Sequence, residues 1–240
     1  MREDIWQNST IDAKIDHIGT TTGTYKQRYW WTDHFIDQTK GPDYLFLYIC
    51  GEGTCKPPSE RGFAVKVAED LKAMFFVVEH RYYGASQPMK DWSTDNLKYL
   101  NADQALADLA DFIDAMNKEI IAKWKGDNRR WVTVGGSYPG ALSAWFKAAY
   151  PDKAWVAWSS SGVILPIRDF SDNDMDIYLA TSRSGPECPQ IIQNITAYID
   201  KVLDAKKGPD YDYLDSVFGM KNVDEGDFMY YIADIFTSPV

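Results

Sequence analysis

The stretch Trp131-Val132-Thr133-Val134-Gly135-Gly136-Ser137-Tyr138-Pro139-Gly140, continued by Ala141-Leu142-Ser143-Ala144-Trp145-Phe146, sets the reading of the whole 240-residue chain. An apolar strand turns sharply through Ser137 into a helix, which is the pattern of a nucleophile elbow. A serine on such a turn exposes its hydroxyl, and the helix N-terminus behind it offers N–H groups without acceptors to a developing oxyanion. The tight turn needs small neighbours, which Gly135 and Gly140 supply, with Gly136 beside them. The usual five-residue pattern fails at its last position, where Pro139 stands. Proline is tolerable there because the first helical turn leaves its N–H unused.

Working away from the elbow, Tyr44 to Cys50 is a continuous apolar run ended by Gly51-Glu52-Gly53, and it reads as a buried strand followed by a tight loop. Gly62 to Ala73 places Phe63, Val67 and Leu71 at four-residue spacing, and Met74 to Val78 forms a second buried run ending at Glu79-His80-Arg81. Asn101 to Trp124 carries Leu106, Leu109, Ile113, Met116 and Ile120 on one helical face, closed by Gly126-Asp127. Ala154 to Gly162 reads as another strand. Strands alternating with helices predict an α/β fold with a mostly parallel sheet, its functional edge at the strands' carboxyl ends. Beyond a boundary near Pro166 the pattern turns helical, over 173–184, 189–207, 211–218 and 224–236. The expected organisation is therefore a sheet domain over 1–165 and the start of an inserted helical cap over 166–240.

A formal net charge of -10 argues against a nucleic-acid partner. No stretch is long and apolar enough for a membrane span, and the first residues lack the apolar core of a signal peptide. Asn8-Ser9-Thr10 and Asn194-Ile195-Thr196 fit the N-glycosylation acceptor, which favours a secretory route. Cys50, Cys55 and Cys188 are odd in number, so at least one is free or pairs outside the chain. No metal-ligand cluster is visible, and neither a metal nor a cofactor is expected.

Ser137 is the candidate nucleophile. The oxyanion donors are expected at the Tyr138 N–H and in the Gly51-to-Thr54 loop, at the Glu52 and Gly53 N–H groups. His80 ends a buried strand and faces the same edge as Ser137, but in the usual hydrolase strand order two places separate their strands, roughly 10 Å, so a structural role is expected. His17 and His34 lie in a polar N-terminal segment and are weaker candidates for a base. Asp169, Asp172, Asp174 and Asp176 read as a solvated helix start, and Glu52 as a solvated loop carboxylate that could also meet a substrate amine. No histidine follows Ser137. In the chain order Ser, acid, His, the sequence is thus expected to stop before its general base.

The blocks Tyr25 to Trp30, Phe46 to Gly53, Glu79-His80-Arg81-Tyr82-Tyr83-Gly84, Tyr99 to Leu109 and Gly135 to Gly140 resemble the prolyl carboxypeptidase and dipeptidyl peptidase II family of serine peptidases. The resemblance implies an α/β-hydrolase domain interrupted by a helical cap, in a lysosomal, vesicular or secreted enzyme. It implies cleavage next to proline in peptide substrates, with Ser137 as nucleophile and Cys188 near the opening of the cap. The family's catalytic Asp and His would follow the cap, so the chain is expected to be an N-terminal part. Two alternatives stand beside this reading: a catalytically inactive fragment that binds peptides or another subunit, and a lipase or carboxylesterase. An incomplete sheet would also favour association into homo-oligomers.

Overall fold

The computed structural model describes residues 5–125 and 129–237, and these fall into two compact units, one ending at Pro166 and one beginning at Ile167. The expected Gly126-Asp127 helix stop lies outside the described residues.

The first unit is built on one sheet of six strands: β1 (Gln7–Lys14), β2 (Thr24–Thr32), β3 (Tyr44–Ile49), β4 (Met74–Val78), β5 (Arg130–Gly136) and β6 (Val156–Ser160). Their spatial order is β1-β2-β4-β3-β5-β6. The β1–β2 and β2–β4 pairs are antiparallel, whereas β3–β4, β3–β5 and β5–β6 are parallel. Only β2 therefore runs against the rest, which is the sheet of the α/β-hydrolase fold.

Strands β3 and β4 are buried on both sides, which is why they read as unbroken apolar runs. Alternate residues point to opposite faces. Leu45, Leu47, Met74 and Phe76 meet Leu109, Phe112, Ile113 and Met116 of α3 (Ala102–Trp124) and Leu142 and Phe146 of α4 (Tyr138–Ala149). Phe46, Phe75, Val77, Val132 and Val134 meet Val65 and Ala68 of α1 (Phe63–Asp70) on the other face. Asn101 caps α3, its side chain accepting from the Gln104 N–H at 3.0 Å. A short helix, α2 (Thr94–Leu97), precedes it.

The structure corrects the sequence reading at two places. The N-terminal segment, read only as polar, forms β1 and β2. In β2 the residues turned inward are Tyr25, Gln27 and Tyr29, so a buried glutamine interrupts the alternation. In β1 only Ala13 is buried. As an edge strand, β1 is specified by its partner more than by its own pattern. Phe63 in α1 and Leu71 just past it are exposed, Val67 is half-buried, and the helix packs chiefly through Val65 and Ala68. Two small inward residues carry too weak a periodic signal to compete with three large ones.

The second unit contains helices α5 (Asp172–Ser182), α6 (Glu187–Ala205), α7 (Pro209–Phe218) and α8 (Glu225–Thr237), with a 3₁₀ turn at Met220–Asn222. Gly219 ends α7 in the left-handed conformation, φ 67°, the usual glycine C-terminal cap. Ile199, Val202, Leu203, Leu214, Met220, Phe228 and Ile232 form its core. Among the described residues, no helix is long and apolar enough to cross a membrane.

Candidate active site

Ser137 stands between β5 and α4 with φ 59° and ψ -128°, a conformation that costs a non-glycine residue about 1–3 kcal/mol. The surrounding backbone holds it there. The Ser137 N–H donates to the Ser160 carbonyl at 3.0 Å, and its own carbonyl accepts from the Ala141 N–H at 3.1 Å. Behind the turn, Ser143 Oγ donates to the Thr133 carbonyl at 3.0 Å and fastens α4 to β5. A Cβ at Gly135 would lie 2.1 Å from the Pro139 carbonyl oxygen, and one at Gly140 would lie 2.9 Å from that of Ser160. Both positions therefore require glycine. At Gly136 the nearest such contact is 3.8 Å, so the fold would admit a side chain there. Ser137 is exposed, and its hydroxyl has no hydrogen-bond partner among the described residues.

As the first residue of α4, Tyr138 has an N–H without an intrahelical acceptor. The Gly51-to-Thr54 loop lies against the elbow: a Cβ on Gly51 would come within 2.9 Å of Pro139 Cγ. Within this loop the Gly53 N–H donates to the Gly51 carbonyl at 2.9 Å. Its donor is thereby spent, and of the two expected donors only the Glu52 N–H has no acceptor among the described residues. A disulfide between Cys50 and Cys55, with Cα atoms 5.8 Å apart, closes the loop, and Cys188 is left as a thiol.

His80 is buried at the end of β4. Its Nδ1 lies 2.8 Å from the Arg81 carbonyl and its Nε2 lies 3.0 Å from the Tyr138 hydroxyl. A carbonyl only accepts, so Nδ1 carries the proton, and Nε2 accepts from the tyrosine. Burial pushes the imidazole below its ordinary pKa against an opposing bond to the Arg81 carbonyl, which keeps the ring neutral. Burial, with the charge of Glu52 and then Tyr83, pushes the Tyr138 phenol up to about 12, so it stays a donor. Both ring nitrogens of His80 are therefore committed. The tyrosine reaches back across the two strand places that separate His80 from the elbow, a contact that strand spacing alone does not reveal.

With this geometry in place, the profile of the serine carboxypeptidase S28 family matches residues 13–237. The chain belongs to the serine carboxypeptidase S28 family. It is similar to a probable serine protease EDA2 of Arabidopsis thaliana, 34% identical over 96% of this chain and 46% of that protein. It is also similar to the human lysosomal Pro-X carboxypeptidase, 33% identical over 82% of this chain and 40% of that protein. The chain thus spans less than half the length of these relatives. A solved arylesterase structure overlaps 65% of this chain and 44% of its own, with TM-score 0.40 and 11% identity. The family so matched is described as one of serine carboxypeptidases, not of lipases or carboxylesterases.

The other histidines of this S28 chain lie apart from the elbow. His17 follows β1, four strand places from β5, and its Nε2 meets Asp108 Oδ1 at 2.7 Å. His34 follows β2, whose last residue, Thr32, pairs with Phe75 near the start of β4, on the opposite edge of the sheet. Asp169, Asp172, Asp174 and Asp176 are all exposed, the middle two in the first turn of α5. Asn8 lies exposed on β1 and Asn194 exposed within α6.

A buried polar network missed from sequence lies behind this edge. Arg81, fully buried, donates from Nε and Nη2 to both oxygens of Asp108 at 2.7 and 2.8 Å. Asp108 also accepts from the Tyr25 hydroxyl at 2.9 Å. Burial alone would raise the Asp108 carboxyl, but the bonds from His17 and Arg81 outweigh it and hold the pKa below its ordinary value. Arg81 further donates to the carbonyls of Lys14, Ile15 and Tyr99. The signal available in sequence was a charged triplet closing an apolar strand.

Proposed function

We propose that Ser137 is the nucleophile of a serine exopeptidase that cleaves peptides next to proline. The observation that carries this reading is the strained backbone of Ser137, held in place by Gly135, Gly140 and Ser160. In this reading Ser137 Oγ attacks the scissile carbonyl, and the carbonyl π electrons move onto oxygen. The Tyr138 and Glu52 N–H groups stabilise that oxyanion. A base takes the hydroxyl proton and passes it to the leaving amine as the C–N bond breaks, and water then hydrolyses the acyl-enzyme. Among the described residues, no histidine hydrogen-bonds Ser137 Oγ.

The human relative, a lysosomal Pro-X carboxypeptidase, supports proline-directed cleavage, and the family supports a peptide substrate. Residues 166–240 are read as the start of a helical cap. The Cys50–Cys55 disulfide and the lysosomal relatives support a lysosomal, vesicular or secreted location. A second reading, peptide or subunit binding without turnover, is favoured by the commitment of His80 and His17 to other partners. A fluorophosphonate probe separates the two. Labelling that disappears in Ser137→Ala supports the nucleophile; folded protein that takes up no label leaves the binding reading.

A further inference from the structure

We infer that Glu79 is a positioning residue that fixes the oxyanion loop to the end of β4. Its role in catalysis rests on the reading of Ser137 and Glu52 given above, but the tether itself is a matter of geometry. Glu79 is fully buried one residue beyond β4. One carboxylate oxygen, Oε1, accepts from the Cys55 N–H at 3.1 Å and pairs with Arg28 Nη2 at 2.5 Å. The other, Oε2, accepts from the Ala85 and Ser86 N–H groups at 3.0 and 3.1 Å and from the Ser86 hydroxyl at 2.8 Å. The side chain thus bridges two separate loops, with a cation set against it. One of these loops is the disulfide-closed segment that presents the Glu52 N–H.

Gly84 makes room for this bridge. Its φ is +54°, and a Cβ there would fall 1.9 Å from Glu79 Oε1, inside the carboxylate itself. The Glu79-to-Gly84 block therefore contains both the tether and the space that the tether occupies. The disulfide fixes the loop's two ends to each other; Glu79 fixes the loop to the sheet. Removing the second constraint leaves the small ring intact but lets it drift relative to Ser137, and an oxyanion donor is useful only at about 2.7–3.1 Å from its target.

A glutamine at this position keeps the size but has one acceptor oxygen, so it can serve the Cys55 side or the Ser86 side and not both. An aspartate keeps the charge but is too short to span the two loops. Hydrogen exchange by mass spectrometry tests the tether without any need for turnover. In Glu79→Gln and Glu79→Asp, amides of the 51–57 segment should exchange about tenfold faster or more, while those of 131–146 are unchanged. Ser86→Ala, which removes one bond on the far side of the bridge together with the acceptor of the Arg28 N–H, should leave 51–57 as in the wild type.

Unchanged exchange at 51–57 in both Glu79 variants, or an equal rise in Ser86→Ala, overturns the proposal. If Glu79→Gln fails to fold, Glu79→Asp decides alone, because Arg28 keeps its counter-charge. Fluorophosphonate labelling is read in parallel. Wild type that does not label counts against the nucleophile reading and leaves the tether standing on exchange. Wild type that labels, with Glu79→Asp tenfold slower at unchanged melting temperature, joins the tether to the chemistry.

Discussion

The two compact units bury different things. The sheet unit closes aliphatic and aromatic side chains around both faces of β3 and β4, and it also buries Arg81 against Asp108, Glu79 against Arg28 and Ser86, and His80 against Tyr138, each in its own hydrogen bonds. The helical unit buries a small set of apolar residues centred on Leu203 and Phe228, while Met175, Leu179, Ile191, Tyr213 and Tyr230 stay exposed. Its ion pairs, such as Lys221 with Asp215, lie at the surface. Polar groups in the first unit are committed to fixing positions, and those in the second are solvated. Charge deletions should therefore be costly in the sheet unit and mild in the helical one.

The largest effect is expected at Asp108. Asp108→Ala leaves Arg81 buried without its bidentate partner and should cost about 3–5 kcal/mol. Calorimetry should show the sheet unit's transition falling while that of the helical unit stays in place. Gly135→Ala, which drives a methyl into the Pro139 carbonyl, should cost about 3 kcal/mol in the same transition. It should also abolish probe labelling of Ser137. Ile232→Ala, in the helical core, should cost about 2–3 kcal/mol and move only the other transition. One shared transition shifted by all three variants would break the contrast.

The smallest effect is a histidine-linked pH dependence confined to the sheet unit. All three histidines precede residue 167, so the helical unit has none to titrate. His80 has a folded pKa below its unfolded value near ~6.5, so on acidification the unfolded chain takes up the proton first. Sheet stability should fall as pH drops below ~6.5 and level off once the folded pKa is passed. His80→Gln should remove that step, as a melting series from pH 7.5 to 5 would show. Asp108 contributes a second loss: its stabilisation is present above ~3.9 and disappears as pH falls through the lower folded value.

How much of this was legible in the sequence follows from the range of the interactions. Apolar runs at Tyr44–Ile49 and Met74–Val78, and the periodicity of α3, reflect burial of each segment's own side chains and could be read locally. The elbow was legible because strand, small turn and helix are contiguous. β1 and β2 were not, since their pattern is set by pairing with each other and includes the buried Gln27. The contact between His80 and Tyr138 joins residues 58 positions apart, and that between Arg81 and Asp108 joins a strand end to a helix. Nor could the sequence show that the Gly53 N–H turns back to Gly51, because that depends on the closed loop. Candidate residues were picked out by type, and their partners only by folding.

The elbow's hydrogen bond to Ser160 has a kinetic consequence. Ser137 is held in its strained turn only after β5 has paired with β6, and the neighbouring loop is in place only after β3 and β4 have joined. These are pairings between distant segments, which form late because chain closure must precede any gain from contact. The strained conformation is therefore a clock for the sheet. During refolding, competence of Ser137 toward a probe should rise with the slowest phase of strand assembly, after helical circular dichroism has already recovered.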